Sequence, residues 1–252
     1  MSIAEKLATI AENMAKIQNI TKKWFDRGRD YEQQEFWDAF QTNHNSGTER
    51  TNYEYAFAGQ GWNSTILKPI RDIKPSTATG MFLNTQYEGD LRDFPVGLDF
   101  SNCTAFGNCF AYAYGITGVG TIDARNGNSN NGLTAMFTNC WNLVTIEKLK
   151  LKDDGSQTYG TNPFSRCDKL ENIEVEGAFG QNTNFQNSTK LSKASIVSII
   201  KALYSGASEK TLTLSKIAVN AIDWSNTVID GVTYNTFKEV TNAKPNWTIT
   251  TM

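Results

Sequence analysis

The sequence predicts an α/β solenoid of short parallel strands and irregular turns, and three observations predict it. Within Met136 to Leu149, the residues Phe137, Cys140, Leu143 and Ile146 recur 27 residues on as Phe164, Cys167, Leu170 and Ile173, a period that belongs to stacked repeat units. Each unit closes on a short alternating stretch, Leu149-Lys150-Leu151 or Ile173-Glu174-Val175, whose one-in, one-out pattern suits a strand of about three to five residues. No single unit can bury its apolar edge alone, so each must stack on its neighbours.

Upstream, Phe106, Cys109, Ile116, Val119 and Ile122 repeat the pattern with four extra residues after the Cys. A weaker turn opens at Thr79-Gly80-Met81-Phe82-Leu83-Asn84-Thr85, with Thr85 in the Cys place, and closes at Leu98-Asp99-Phe100. The expected solenoid therefore runs over 76–190, with Phe82, Phe106, Cys109, Phe137, Cys140, Leu143, Ile146, Phe164, Cys167, Leu170 and Ile173 as its core. Gly115, Gly118 and Gly120 read as turn residues, since no Gly-Lys-Ser/Thr follows them to make a phosphate loop.

Ahead of the solenoid, residues 1–22 predict a helix, with Ser2 as N-cap and Glu5 three residues later as its capping-box partner. Ile3, Leu7, Ile10, Met14 and Ile17 follow the alternating four-and-three spacing of a coiled coil. The narrow seam points to self-association, and Ile mixed with Leu at both positions leans toward a trimer; the alternative is an amphipathic helix that docks on its own domain.

Residues 23–75 crowd Trp24, Phe25, Tyr31, Phe36, Trp37, Phe40, Tyr53, Tyr55, Phe57 and Trp62 around a polar loop at 42–48, and read as an aromatic cap on one open end of the solenoid. Residues 191–252 form the opposite α/β cap. It begins with a helix started by Ser192, carrying Ile196, Ile199, Ile200 and Leu203 on one face and stopped by Gly206. Strands follow at Thr211-Leu212-Thr213-Leu214 and Trp247-Thr248-Ile249-Thr250, with short helices over 216–222 and 236–243 between them.

Composition narrows the partners. The 252 residues carry 24 basic and 26 acidic side chains, a net charge of −2, with no basic run to track a phosphate backbone, so nucleic acid is not an expected partner. No window reaches the roughly 20 apolar residues of a membrane span, and the start Met1-Ser2-Ile3-Ala4-Glu5 is unlike a signal peptide. The expectation is a chain made in a cytoplasm. Three of the four cysteines, Cys109, Cys140 and Cys167, share one repeat position, where small buried thiols pack well; free structural thiols are expected over disulfides.

Material for catalysis is thin. His44 is the single histidine, in a polar loop, and cannot by itself furnish a catalytic triad or complete a zinc set. Asp153-Asp154-Gly155-Ser156 reads as a tight turn rather than a cation loop. No catalytic residue, metal or cofactor is therefore expected, and a binding surface remains. Phe110, Tyr112 and Tyr114 stand just after Cys109, and Trp141 just after Cys140; Asp168 at the next equivalent place shows that the position tolerates a charge. That puts Phe110 and Trp141 side by side on the surface as a candidate ligand site with Tyr112 and Tyr114, suited to stack on a sugar or anchor a protein; the alternative is that the tyrosines fold back and pack.

The unit Phe-x-x-Cys-x-x-Leu-x-x-Ile at Phe137, Cys140, Leu143, Ile146 and again at Phe164, Cys167, Leu170, Ile173 resembles the BspA-type leucine-rich repeats. More broadly, Ile3 to Leu7, Phe36 to Phe40, Asp72 to Pro75 and Leu191 to Ile200 resemble segments of small leucine-rich-repeat proteins of phages and prophages of Gram-positive gut bacteria. The resemblance implies a non-enzymatic virion protein, a tail-tip or fibre component attached through its N-terminal helix to other tail proteins, which offers the repeats to a glycan or protein on the host surface. Relatives often carry a longer polar, Gly-rich segment after the first helix, whereas this chain goes directly to Trp24. A bacterial adhesin or interaction module with the same repeats is the alternative, and a glycan-cleaving tail enzyme a minor one.

Overall fold

The structure, a computed structural model, describes residues 52–59, 73–85, 87–93, 97–128, 132–158, 160 and 162–252, all within one compact unit. The expected N-terminal helix with its Ile3, Leu7, Ile10, Met14 and Ile17 seam, the aromatics from Trp24 to Phe40, Trp62 and His44 lie outside the described residues.

A parallel β-solenoid of about four turns forms the body. Its sheet has strand order β1 (Gly89–Asp90), β2 (Ile116–Asp123), β3 (Thr145–Lys150) and β4 (Asn172–Glu176), all neighbours parallel. Register follows the apolar alternation: Val119 pairs with Ile146 and Ile146 with Ile173, while Ile122 pairs with Leu149 and Leu149 with Val175. These side chains point inward, and the alternate positions carry exposed or half-exposed residues such as Lys148 and Glu174, joined across strands at 2.8 Å. Like any exposed pair it contributes about 1 kcal/mol or less.

Opposite the sheet the turns carry their own ladder. The amides of Phe57, Phe82, Phe110 and Phe137 donate to the carbonyls of Met81, Cys109, Met136 and Pro163 on the next turn, at 2.7–2.9 Å. Those four rings, with Phe164 and Phe185, stack down the interior: Phe57–Phe82 at 5.0 Å, Phe82–Phe110 at 5.4 Å, Phe110–Phe137 at 5.1 Å, Phe137–Phe164 at 6.1 Å and Phe164–Phe185 at 4.4 Å. Stacked pairs of this kind add about 0.5–1.5 kcal/mol each beyond area burial.

The ladder corrects the register of the second turn. Phe110, not Phe106, is the equivalent of Phe82 and Phe137, and the small residue three places on is Ala113 rather than Cys109. That slot is filled by Thr85, Ala113, Cys140, Cys167 and Ser188, all buried. The turn then runs Phe110, Ala113, Ile116, Val119 without an insertion; Phe106 and Cys109 are buried ahead of it. The ladder also reaches back to Phe57, and Asn52 bridges Thr77, so turn structure begins within the stretch read as an N-terminal cap.

Two glycines read as turn residues lie inside β2. Gly118 stands in the strand because the Asp90 carboxylate of the neighbouring turn lies where its Cβ would be, and Gly120 follows in the same strand. Gly115 immediately precedes the strand.

After β4 a second parallel sheet, β5 (Thr183–Phe185), β6 (Lys210–Leu214) and β9 (Trp247–Thr251), continues the stack. Helix α1 (Lys193–Lys201) starts at Ser192, whose hydroxyl accepts the Ser195 amide at 3.3 Å. It ends at Ala202 rather than near Gly206, because Leu203 leaves the helix to bridge Phe179. Short helices α2 (Lys216–Asn220) and α3 (Phe237–Val240) fill the connections. Between them β7 (Thr227–Ile229) and β8 (Val232–Tyr234) form a hairpin turned at Asp230 and Gly231, both at positive φ, as a two-residue turn of the primed type requires.

Candidate functional site

The candidate site forms where the turns run into the strands, because the ladder places equivalent residues of successive turns in columns. Carried back from the Gly118–Thr145 and Thr145–Asn172 pairs, the 27-residue register puts Tyr114, Trp141 and Asp168 in one column and Gly115, Asn142 and Lys169 in the next, and ring and hydrogen-bond contacts join Tyr114 to Trp141 and Asn142 to Lys169. Tyr114 is 38% and Trp141 42% exposed, their ring centroids 4.7 Å apart at 38°. Tyr112, 43% exposed, meets Tyr114 edge to face at 6.2 Å.

Phe110 does not belong to this surface. It is 1% exposed, inside the phenylalanine stack, because the true register makes Tyr114, not Phe110, the neighbour of Trp141. Two adjacent outward rings are present, but one partner differs from the expected pair. Tyr112, Tyr114 and Trp141 come together; Phe110 packs in the interior on Phe82 and Phe137.

The rings are held from several sides. The Arg166 guanidinium lies over the Trp141 ring at 5.6 Å, and the indole N–H donates to Asn139 Oδ1 at 3.3 Å. Asn142 Nδ2 donates to the Tyr114 carbonyl at 2.6 Å, while Lys169 Nζ donates to Asn142 Oδ1 at 2.7 Å. A shallow groove of about 520 Å³ opens beside Tyr114, between Glu88 at one end and Lys169 at the other, with Thr117, Asn142 and Val144 along it.

A left-handed backbone position recurs from turn to turn beside this patch. The second residue after each ladder phenylalanine is left-handed: Gly59, Asn84, Tyr112, Asn139 and Arg166 have φ of 66°, 52°, 59°, 62° and 58°. Gly and Asn adopt that conformation readily, whereas a bulky side chain in it costs about 1–2 kcal/mol. The chain places Tyr112 and Arg166, both exposed, at two positions where glycine or asparagine would relieve strain.

Arg166, Asn142, Lys169 and Glu88 were not legible as site residues. The signal that finds them is the column position, which requires the Phe-x-x-small register to be set by Ala113.

The interior thiols are of another kind. All four cysteines are free and buried; burial pushes the Cys103 thiol up to about 11 and Cys140 up to about 12, and raises Cys109 and Cys167 well above the ordinary range. Cys140 Sγ donates to the Phe110 carbonyl at 2.9 Å and Cys167 Sγ to the Phe137 carbonyl at 3.3 Å. They bind turn to turn, and as neutral thiols they are poor nucleophiles. Among the described residues no group of three or more His, Cys, Asp or Glu is placed to hold a metal ion, and no helix is long and apolar enough to cross a membrane.

Fold and site together define a repeat-built parallel β-solenoid with a fixed aromatic patch where turns meet strands. Comparison with protein-family models, with curated proteins and with solved structures returns no match to the chain.

Proposed function

We propose that the chain is a non-enzymatic structural protein of a phage virion, a tail-tip or fibre component, and that its solenoid contacts a glycan or protein receptor on the host surface. The repeats are of the BspA leucine-rich type in this reading, supported by the two full Phe-x-x-Cys-x-x-Leu-x-x-Ile units. The observation that carries the receptor role is the patch of Tyr112, Tyr114, Trp141 and Arg166. Three aromatic rings and a guanidinium are kept at the surface, two of them on strained backbone, where smaller residues would stabilise the fold.

The helix with Ile3, Leu7, Ile10, Met14 and Ile17 gives the protein its oligomeric state, a trimer, and its attachment to other tail proteins; multivalent presentation then multiplies a weak single-site affinity. The solution mass of the full chain against one lacking residues 1–22 tests assembly: a trimer falling to monomer supports it, and a monomer throughout removes it. Adsorption of the full chain to intact cells of a panel of Gram-positive gut bacteria tests the receptor role, which failure on every strain would remove while leaving a structural one.

A further inference from the structure

Beside the exposed rings, the groove between Glu88 and Lys169 has features that select an occupant. Its floor opens at Gly115, where a Cβ would collide with the Tyr87 carbonyl and the Glu88 side chain, so any other residue there would disturb the turn as well as the groove. Its walls are mixed: Tyr114 and Val144 supply apolar side chains beside the polar groups of Glu88, Thr117, Asn142 and Lys169. Charge is balanced along it, with Lys169 at one end and Glu88 at the other.

Each property removes a class of ligand. An amphipathic helix or apolar peptide anchor needs a desolvated apolar pocket, which this open groove does not supply. A phosphate, nucleic acid or polyanionic glycan would meet the Glu88 carboxylate, with Asp168 beside Trp141 in the same ring column. A neutral sugar chain satisfies all the groups present. A pyranose has an apolar C–H face that lies against an aromatic ring and a rim of hydroxyls that both donate and accept. Lys169 keeps N–H donors beyond the one given to Asn142, the Glu88 carboxylate accepts, and Thr117 does either. The volume of about 520 Å³ lies within the range of small-ligand sites.

Preorganisation strengthens the case. Asn142 is fixed by two hydrogen bonds, one of them from Lys169 itself, and Trp141 by Asn139 and Arg166. Such a surface loses little side-chain freedom when a sugar docks.

We infer that this groove, with Tyr114 as its aromatic wall and Trp141 packed against that ring, binds a neutral oligosaccharide of about two pyranose units. The inference rests on the receptor-binding reading and names the receptor chemistry as carbohydrate rather than protein.

The test uses the full chain, its Tyr114→Ala and Lys169→Ala variants, and a Val232→Ala control on the distant hairpin. The probes are immobilised neutral oligosaccharides of glucose, galactose, rhamnose and N-acetylglucosamine, alongside intact cells treated with periodate or with protease. Wild type and control bind at least one neutral oligosaccharide, and both groove variants lose about tenfold or more in affinity while keeping the wild-type circular dichroism and melting temperature. Cell binding is then abolished by periodate and survives protease. Cell binding that protease abolishes and periodate spares overturns the carbohydrate assignment and leaves the receptor role standing. Sugar binding that both variants retain in full overturns the site. No binding to any sugar overturns the inference, and no binding to sugars or cells overturns both readings.

Discussion

The Ser195 hydroxyl stands where a fifth strand would be: it accepts the backbone N–H of Ile173 at 2.9 Å and donates to the carbonyl of Glu171 at 2.8 Å. One helical turn on, Ser198 accepts the amide of Val175 at 2.8 Å. The open edge of β4 is thus closed by side chains of α1, and unpaired strand edges are sites of unwanted pairing.

Replacing Ser195 with Ala leaves the buried Ile173 amide without a partner. The expected loss is about 1–3 kcal/mol, read as a lower urea midpoint with an unchanged slope. Ser198→Ala, at a half-buried position, loses less. Equal stability of Ser195→Ala and wild type would mean that the hydroxyl contributes nothing to closing the edge.

The corrected register separates two aromatic residues four apart in sequence. Phe110→Ala empties a site in the ring stack and costs about 3–5 kcal/mol, whereas Tyr114→Ala, at the surface, changes stability by about 1 kcal/mol or less. Denaturant unfolding of the two variants decides between this register and one in which Phe110 faces solvent, which predicts the reverse order.

Tyr112→Asn puts at one turn the residue that Asn84 and Asn139 already provide at the same position. Relief of left-handed strain stabilises the fold by about 0.5–1 kcal/mol, while adsorption to cells weakens. A variant less stable than wild type would show that the Tyr112–Tyr114 contact outweighs the strain.

The buried thiols give the fold an alkaline limit. Each thiol ionises near 9.0 when the chain unfolds, but only near 11 at Cys103 and near 12 at Cys140 in the folded state, because burial disfavours the thiolate. The folded state therefore holds more protons between these values. The thiol contribution is fully present below pH ~9 and is lost as pH rises from there toward 12. Urea midpoints fall over that range, and iodoacetamide at pH 8 labels the cysteines only after unfolding.

The repeat was legible where the chemistry of the turn slot was narrow. At Cys140 and Cys167 the Phe-x-x-Cys spacing set the register of two turns directly. At the second turn the same slot holds Ala113, while Phe106 and Cys109 happen to carry the motif four residues early. The interior asks only for a small side chain there, so the stronger sequence match was the wrong one. Strand and helix positions in the C-terminal region followed their periodicity closely at β6, β9, α2 and α3. The β7–β8 hairpin was missed although Asp230-Gly231 is a strong turn signal, because its strands are only three residues each. The groove was not legible at all, since Glu88, Asn142 and Lys169 meet only through strand register.

Both faces of each turn are joined to the next by the same backbone bonds, so the body is indifferent to how many turns it contains. The stretch from Phe110 to Met136, 27 residues, is a unit that could be duplicated or deleted in frame, because the new junction rebuilds the contacts of the old. Each copy lengthens the body by about 4.8 Å while the serine-closed edge stays as it is. In-frame gain or loss of that unit would therefore change the length of the body in fixed steps, with the ends left as they are.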